Sequence, residues 1–71
     1  MNTTATIEYI ILIIAVFAAN NKISEVEAYQ YLRRWGAIDF CERHYGIMHT
    51  LSVEDNVASL QQYCARKGGT L

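Results

Sequence analysis

The pattern of apolar and polar positions changes character once along the chain. In the stretch EYIILIIAVFAAN, the eleven positions from Tyr9 to Ala19 carry no polar group except the tyrosine hydroxyl. Beyond Asn20 the apolar residues recur instead at three- and four-residue intervals, the period of one-sided helices. Thr3 or Thr4 is placed to cap a first helix running to about Asn20, and Asn20 and Asn21 tolerate the turn conformation that would end it. Ser24-Glu25-Val26-Glu27 has the form of a capping box and opens a second helix, which Gly36 should close in the left-handed conformation. A third, shorter helix is expected from Ile38 to Tyr45, stopped by Gly46. Ser52-Val53-Glu54-Asp55 repeats the capping logic and opens a last helix that Gly68 and Gly69 terminate. No segment alternates with the period of two that marks a strand.

The charges agree with these boundaries. Acids fall in first turns (Glu25 and Glu27; Asp39; Glu54 and Asp55). Bases fall in last turns (Arg33 and Arg34; Arg43 and His44; Arg66 and Lys67), as the helix dipole favours. The expected fold is all-α: one small domain over residues 1–71, built of about four helices. In the second helix Ala28, Tyr31, Leu32 and Trp35 share a face. In the third, Ile38, Cys41 and Tyr45 do so, with Phe40 close by. In the last, Val53, Val57, Leu60 and Cys64 form a narrow stripe with Tyr63 beside it. The first helix is apolar all round, and only Glu8, Ala15 and Ala19 lack bulk. A helix apolar all round is expected to be central and buried all round. Three short one-sided helices cannot enclose it fully, so Tyr9, Leu12, Ile13, Val16 and Phe17 are the candidate interface with another chain.

Composition sharpens that expectation. Apolar residues make up 52% of the 71 positions and charged ones 18%, an excess of apolar surface for so short a chain. Oligomerisation is one of the few ways such a chain gains stability, and a homo-oligomer, dimer or higher, is expected. A membrane helix needs about 20 apolar residues, and the uninterrupted run here is shorter, with Glu8 directly before it. The segment MNTTATIE lacks the basic residues that open a secretory signal. A cytoplasmic location is therefore expected, without membrane association. The net charge is −1 with scattered bases, so a phosphate backbone is not an expected partner.

The residues capable of chemistry are Cys41, His44, His49 and Cys64, with Asp39 and Glu42 nearby. Cys41 and His44 are three apart and could face one metal, but zinc sites announce themselves by paired Cys-x-x-Cys or His-containing elements at defined spacings, which are missing. A Cys41–His44 nucleophile pair has no evident orienting acid or oxyanion site. No cofactor, metal site or catalytic residue is expected, and the protein is read as a non-enzyme. Tyr45, His49 and Thr50 form either a structural turn or a partner contact. The aromatic set Tyr29, Tyr31, Trp35, Phe40 and Tyr45 is more simply core.

From Ala28 onward the order AYQYLRRWGAIDFCERHYGIMHTLSVEDNVASLQQYCARKGG resembles short bacterial proteins catalogued as domain of unknown function 3791. The resemblance rests on Gly36-x-Ile38-x-Phe40, Tyr45, the His49-Thr50 pair and the acid-started last helix, while the first helix matches only as a generic apolar segment. It implies no catalytic residues. It does imply a gene neighbourhood with proteins resembling ADP-ribosyltransferases, and hence an antitoxin-like or regulatory pairing with a partner protein. The expected function is thus a small interaction module. The alternative is a helix-turn-helix DNA-binding regulator, against which stand the negative charge and an expected connection between the last two helices longer than the usual 3–4-residue turn.

Overall fold

A computed structural model describes residues 3–71, and among them are four helices: α1 Thr3–Asn21, α2 Glu25–Arg34, α3 Ala37–Met48 and α4 Val53–Arg66. No strand occurs among these residues. Helix α1 packs against each of the other three, so the apolar segment is the central element. The position that would cap α1 lies outside the described residues. Thr3 and Thr4, expected as caps, instead belong to its first turn.

The local signals act as their chemistry requires. Ser24 Oγ accepts from the Glu27 amide, and the Glu27 carboxylate accepts from the Ser24 amide, so α2 opens on a complete capping box. Ser52 Oγ accepts from the Asp55 amide at the start of α4. Gly36 closes α2 at φ +81° and Gly68 closes α4 at φ +99°, conformations an L side chain resists. At the end of α4 the Gly69 amide also reaches the Cys64 carbonyl, completing a Schellman motif.

Two helix ends differ from the sequence expectation. Asn20 and Asn21 stay helical, and the left-handed residue is Lys22, at φ +56°. The cause is that the Asn21 side chain is already engaged. Its Nδ2 donates to the Phe17 carbonyl at 2.9 Å and to Gln61 Oε1 at 3.1 Å, and Gln61 Nε2 donates back at 2.7 Å. The turn is displaced by one residue, with the Ile23 amide reaching the Ala18 carbonyl. Helix α3 runs through Gly46 to Met48 instead of stopping at Tyr45. A helical glycine costs about 1 kcal/mol relative to alanine, and burying Met48 outweighs that. Arg43 and His44 consequently lie mid-helix, where Arg43 pairs with Asp39 at 3.2 Å on the surface. The longer α3 also shortens its connection to α4 to residues 49–52, within the 3–4-residue range that the sequence reading expected it to exceed.

The core gathers Ile10, Ile13 and Phe17 of α1, Leu32 of α2, Cys41 of α3, and Val57 and Leu60 of α4. Phe17 stacks on Tyr31 with ring centroids 5.7 Å apart. The accessible surface is 4643 Å², against roughly 4,500 Å² for a folded monomer of this mass. The chain is therefore folded to ordinary density, and what sets it apart is the chemistry of the surface it leaves outside.

Candidate functional site

The surface in question is the outer side of α1. At 100° per residue, Thr6, Ile10, Ile13 and Phe17 fall on one stripe, and that stripe is the one buried. The opposite side carries Ile7 at 53% exposure, Ile11 at 57% and Leu12 at 45%, with Glu8, Ala15 and Ala19 among them. Within one chain α1 is therefore incompletely enclosed, as the three short one-sided helices led one to expect. Three short helices cover one side of α1, and the aliphatic side chains of the other face outward.

The apolar surface continues onto α2. Val26 is 66% exposed and Tyr29 39%, and with Ile11 and Ile14 they form the apolar part of an open groove of about 520 Å³ between α1 and α2, whose rim carries Glu25, Gln30 and Arg33. Aliphatic groups gathered in this way exceed the singly scattered apolar residues of an ordinary monomer surface. The candidate interface residues separate accordingly. Leu12 is exposed, Tyr9 and Val16 are half-buried, and Ile13 and Phe17 are wholly inside the chain's own core and so out of reach of any partner. The sequence reading had not singled out Ile7, Ile11 and Val26, and it took Tyr29 as core, whereas Tyr29 lies exposed beside them on α2. A helix apolar on every side gives no periodic signal from which to choose its free face.

By length and composition the 18 residues Thr4–Asn21 would also cross a bilayer. A second apolar groove, of about 340 Å³, lies between α3 and α4, where Ile47 and Leu51 are exposed.

Tyr45, His49 and Thr50 come together at the end of α3. His49 Nδ1 lies 2.9 Å from the Tyr45 carbonyl, which requires the tautomer protonated on Nδ1, and its ring stacks on Tyr45 at 4.8 Å. Thr50 Oγ1 donates to the Ile47 carbonyl at 2.6 Å. The same two carbonyls already accept the His49 and Thr50 amides at 3.0 and 3.1 Å, so these side chains add second, local bonds at the helix end. Tyr45 in turn meets Tyr9 edge to face at 5.5 Å.

A buried polar knot ties this end to α1 and α4. Asn56 is 4% exposed, and its Nδ2 donates to the Met48 carbonyl at 2.8 Å and to the Tyr9 hydroxyl. The Tyr9 hydroxyl donates to the same carbonyl at 3.3 Å. Burial raises the Tyr9 pKa above its ordinary value, against the opposing effect of the Asn56 hydrogen bond. The sequence reading did not find Asn56, because an asparagine at a core-facing position of a helix has no pattern of its own.

The thiols are placed for packing. Cys41 and Cys64 are both free and fully buried. Burial, with smaller contributions from Cys64 and Glu42, pushes Cys41 up to about 11. Burial raises Cys64 as well, with Lys67 acting in the other direction. A nucleophilic cysteine needs the opposite shift. His44 packs against the Phe40 ring at 4.4 Å. Among the described residues no group of three or more His, Cys, Asp and Glu side chains could hold a metal ion.

Fold and surface together define a small four-helix protein whose central helix is covered on one side only. The chain belongs to the family described as "Protein of unknown function (DUF3791)", whose model matches residues 8–67. The match takes in most of α1 as well as the later helices, more than the resemblance from Ala28 onward had covered. Neither a curated protein nor a solved structure matches the chain.

Proposed function

We propose that this protein is a small interaction module that associates with another chain through the outer face of α1 and its continuation on α2. The observation that carries this reading is the exposure of Ile7, Ile11 and Leu12 on a helix whose other side forms the core. Covering aliphatic surface of this kind contributes about 25 cal/mol per Å² removed from water, which is the ordinary driving force of association. Self-association is the first form of this activity. Regulation or antitoxin-like neutralisation of a partner protein, the pairing that the family resemblance implies, is the form in which the same face would act on another molecule. The test is light scattering coupled to size exclusion on the wild type and on Ile11→Glu, with Ile47→Glu in the α3–α4 groove as control. Loss of association in the first variant and not in the second supports the reading. Association untouched by Ile11→Glu, or a chain that meets no partner, refutes it.

A second reading, a DNA-binding regulator, gains from the four-residue connection between α3 and α4. Against it, α4 would enter the major groove behind Glu54 and Asp55, two acids in the turn that would lie nearest the bases and phosphates. A salt-dependent gel shift with duplex DNA would favour this reading over the first.

A further inference from the structure

Accepting that the outer face of α1 is an interface, we propose that its occupant is a second copy of this chain, laid antiparallel with the two-fold axis passing beside Ala15. The argument is one of charge and shape. Glu8 stands near one end of the exposed face and Lys22 directly follows the other end. Both are exposed, and neither has an ion-pair partner among the described residues. Glu8 and the last helical residue, Asn21, are thirteen residues apart, about 20 Å along the axis at 1.5 Å per residue, and Lys22 turns off just beyond.

An antiparallel pair centred on Ala15 sets each Glu8 opposite the partner's Lys22, at both ends of the contact. A parallel pair would set each Glu8 beside the partner's Glu8. Exposed pairs of this kind add little affinity but choose the orientation. The same register lays Ile11 against the partner's Ala19 and Ala15 against the partner's Ala15. Bulk then meets gap, and the two axes can approach to the 8–10 Å of packed helices. Such a contact is isologous, so it closes on itself and covers the outer face of α1 in both copies.

The test uses disulfide trapping in the full chain, in which the two native thiols are fully buried and hence silent. With mild oxidation Ala15→Cys is expected to give a covalent dimer. Glu8→Cys is expected to stay monomeric alone and to link only when mixed with Lys22→Cys. Charge reversal supplies an arm that leaves the contact surface intact. Glu8→Lys should weaken dimerisation about fivefold at low salt, because two rim pairs are reversed at once, and adding Lys22→Glu should restore it. Self-linking of Glu8→Cys means a parallel pair and overturns the proposal, although the interface itself stands. A chain that is monomeric alone but binds another protein through Ile11 overturns the second copy and keeps the module. A monomer that sediments only with phospholipid vesicles overturns both.

Discussion

Replacing Asn56 by alanine removes a side chain of α4 that hydrogen-bonds to both α1 and α3. Its Nδ2 donates to the Met48 carbonyl and to the Tyr9 hydroxyl, inside a region where Asn56 is 4% exposed. A net hydrogen bond of this type contributes about 1 kcal/mol, and two are lost, so the expected cost is about 2 kcal/mol. The Met48 carbonyl keeps the Leu51 amide at 3.0 Å and the longer bond from Tyr9 at 3.3 Å. For a domain of this size each kcal/mol moves Tm by 4–8 °C, so Asn56→Ala should melt roughly 8–16 °C below wild type. The assay is thermal denaturation followed by circular dichroism at fixed protein concentration. Tyr9→Phe, which removes only the hydroxyl, should cost about 1 kcal/mol. Because the two residues share one bond, the double variant should lose less than the sum of the singles. A melting point for Asn56→Ala within about 2 °C of wild type, or strict additivity with Tyr9→Phe, would refute the account of this knot as a structural clamp.

Alkaline pH should weaken the fold. Cys41 titrates at about 11 when folded against 9.0 when free. Its contribution is therefore complete below pH 9 and is lost as pH rises to 11, by about 2.7 kcal/mol at 1.36 per unit. Cys64, Tyr9 and Tyr31 are raised too and act in the same direction. Urea midpoints that fall steeply between pH 9 and 11 are expected, and a flat profile would contradict it. At pH 7.5 neither thiol should react with a chromogenic disulfide reagent until urea unfolds the chain, whereas rapid labelling of the native protein would show that one is accessible. The helical Gly46 has nothing within 4 Å of a Cβ built on it, so Gly46→Ala should raise stability by about 0.5–1 kcal/mol. At Gly69 the same Cβ would lie 2.8 Å from the Tyr31 hydroxyl and 2.9 Å from Trp35 Nε1, so Gly69→Ala should lower Tm.

Helix starts were legible because their signal is chemical and local: Ser24 with Glu27, and Ser52 with Asp55, are read within four residues. Helix ends were less so. Gly46 looks like a terminator in isolation, yet α3 continues past it because Met48 is buried and its carbonyl is held by Asn56, eight residues further on. Asn21 likewise looks like a turn former until Gln61, forty residues away, engages its amide. The candidate site was legible in kind but not in detail. That α1 had surplus apolar surface follows from its composition. Which side stays free depends on where α2, α3 and α4 come to rest, and so Ile13 and Phe17 are core while Ile7 and Ile11 face outward.

The central claim is that this outward face needs another chain, and sedimentation equilibrium of wild type beside Ile11→Glu tests it most directly. The wild type should show a mass near twice the 8.1 kDa of one chain at tens of micromolar, and Ile11→Glu should sediment as a folded monomer with unchanged helical dichroism. A wild-type chain that stays at the single-chain mass, soluble, and indifferent to the substitution would contradict the account.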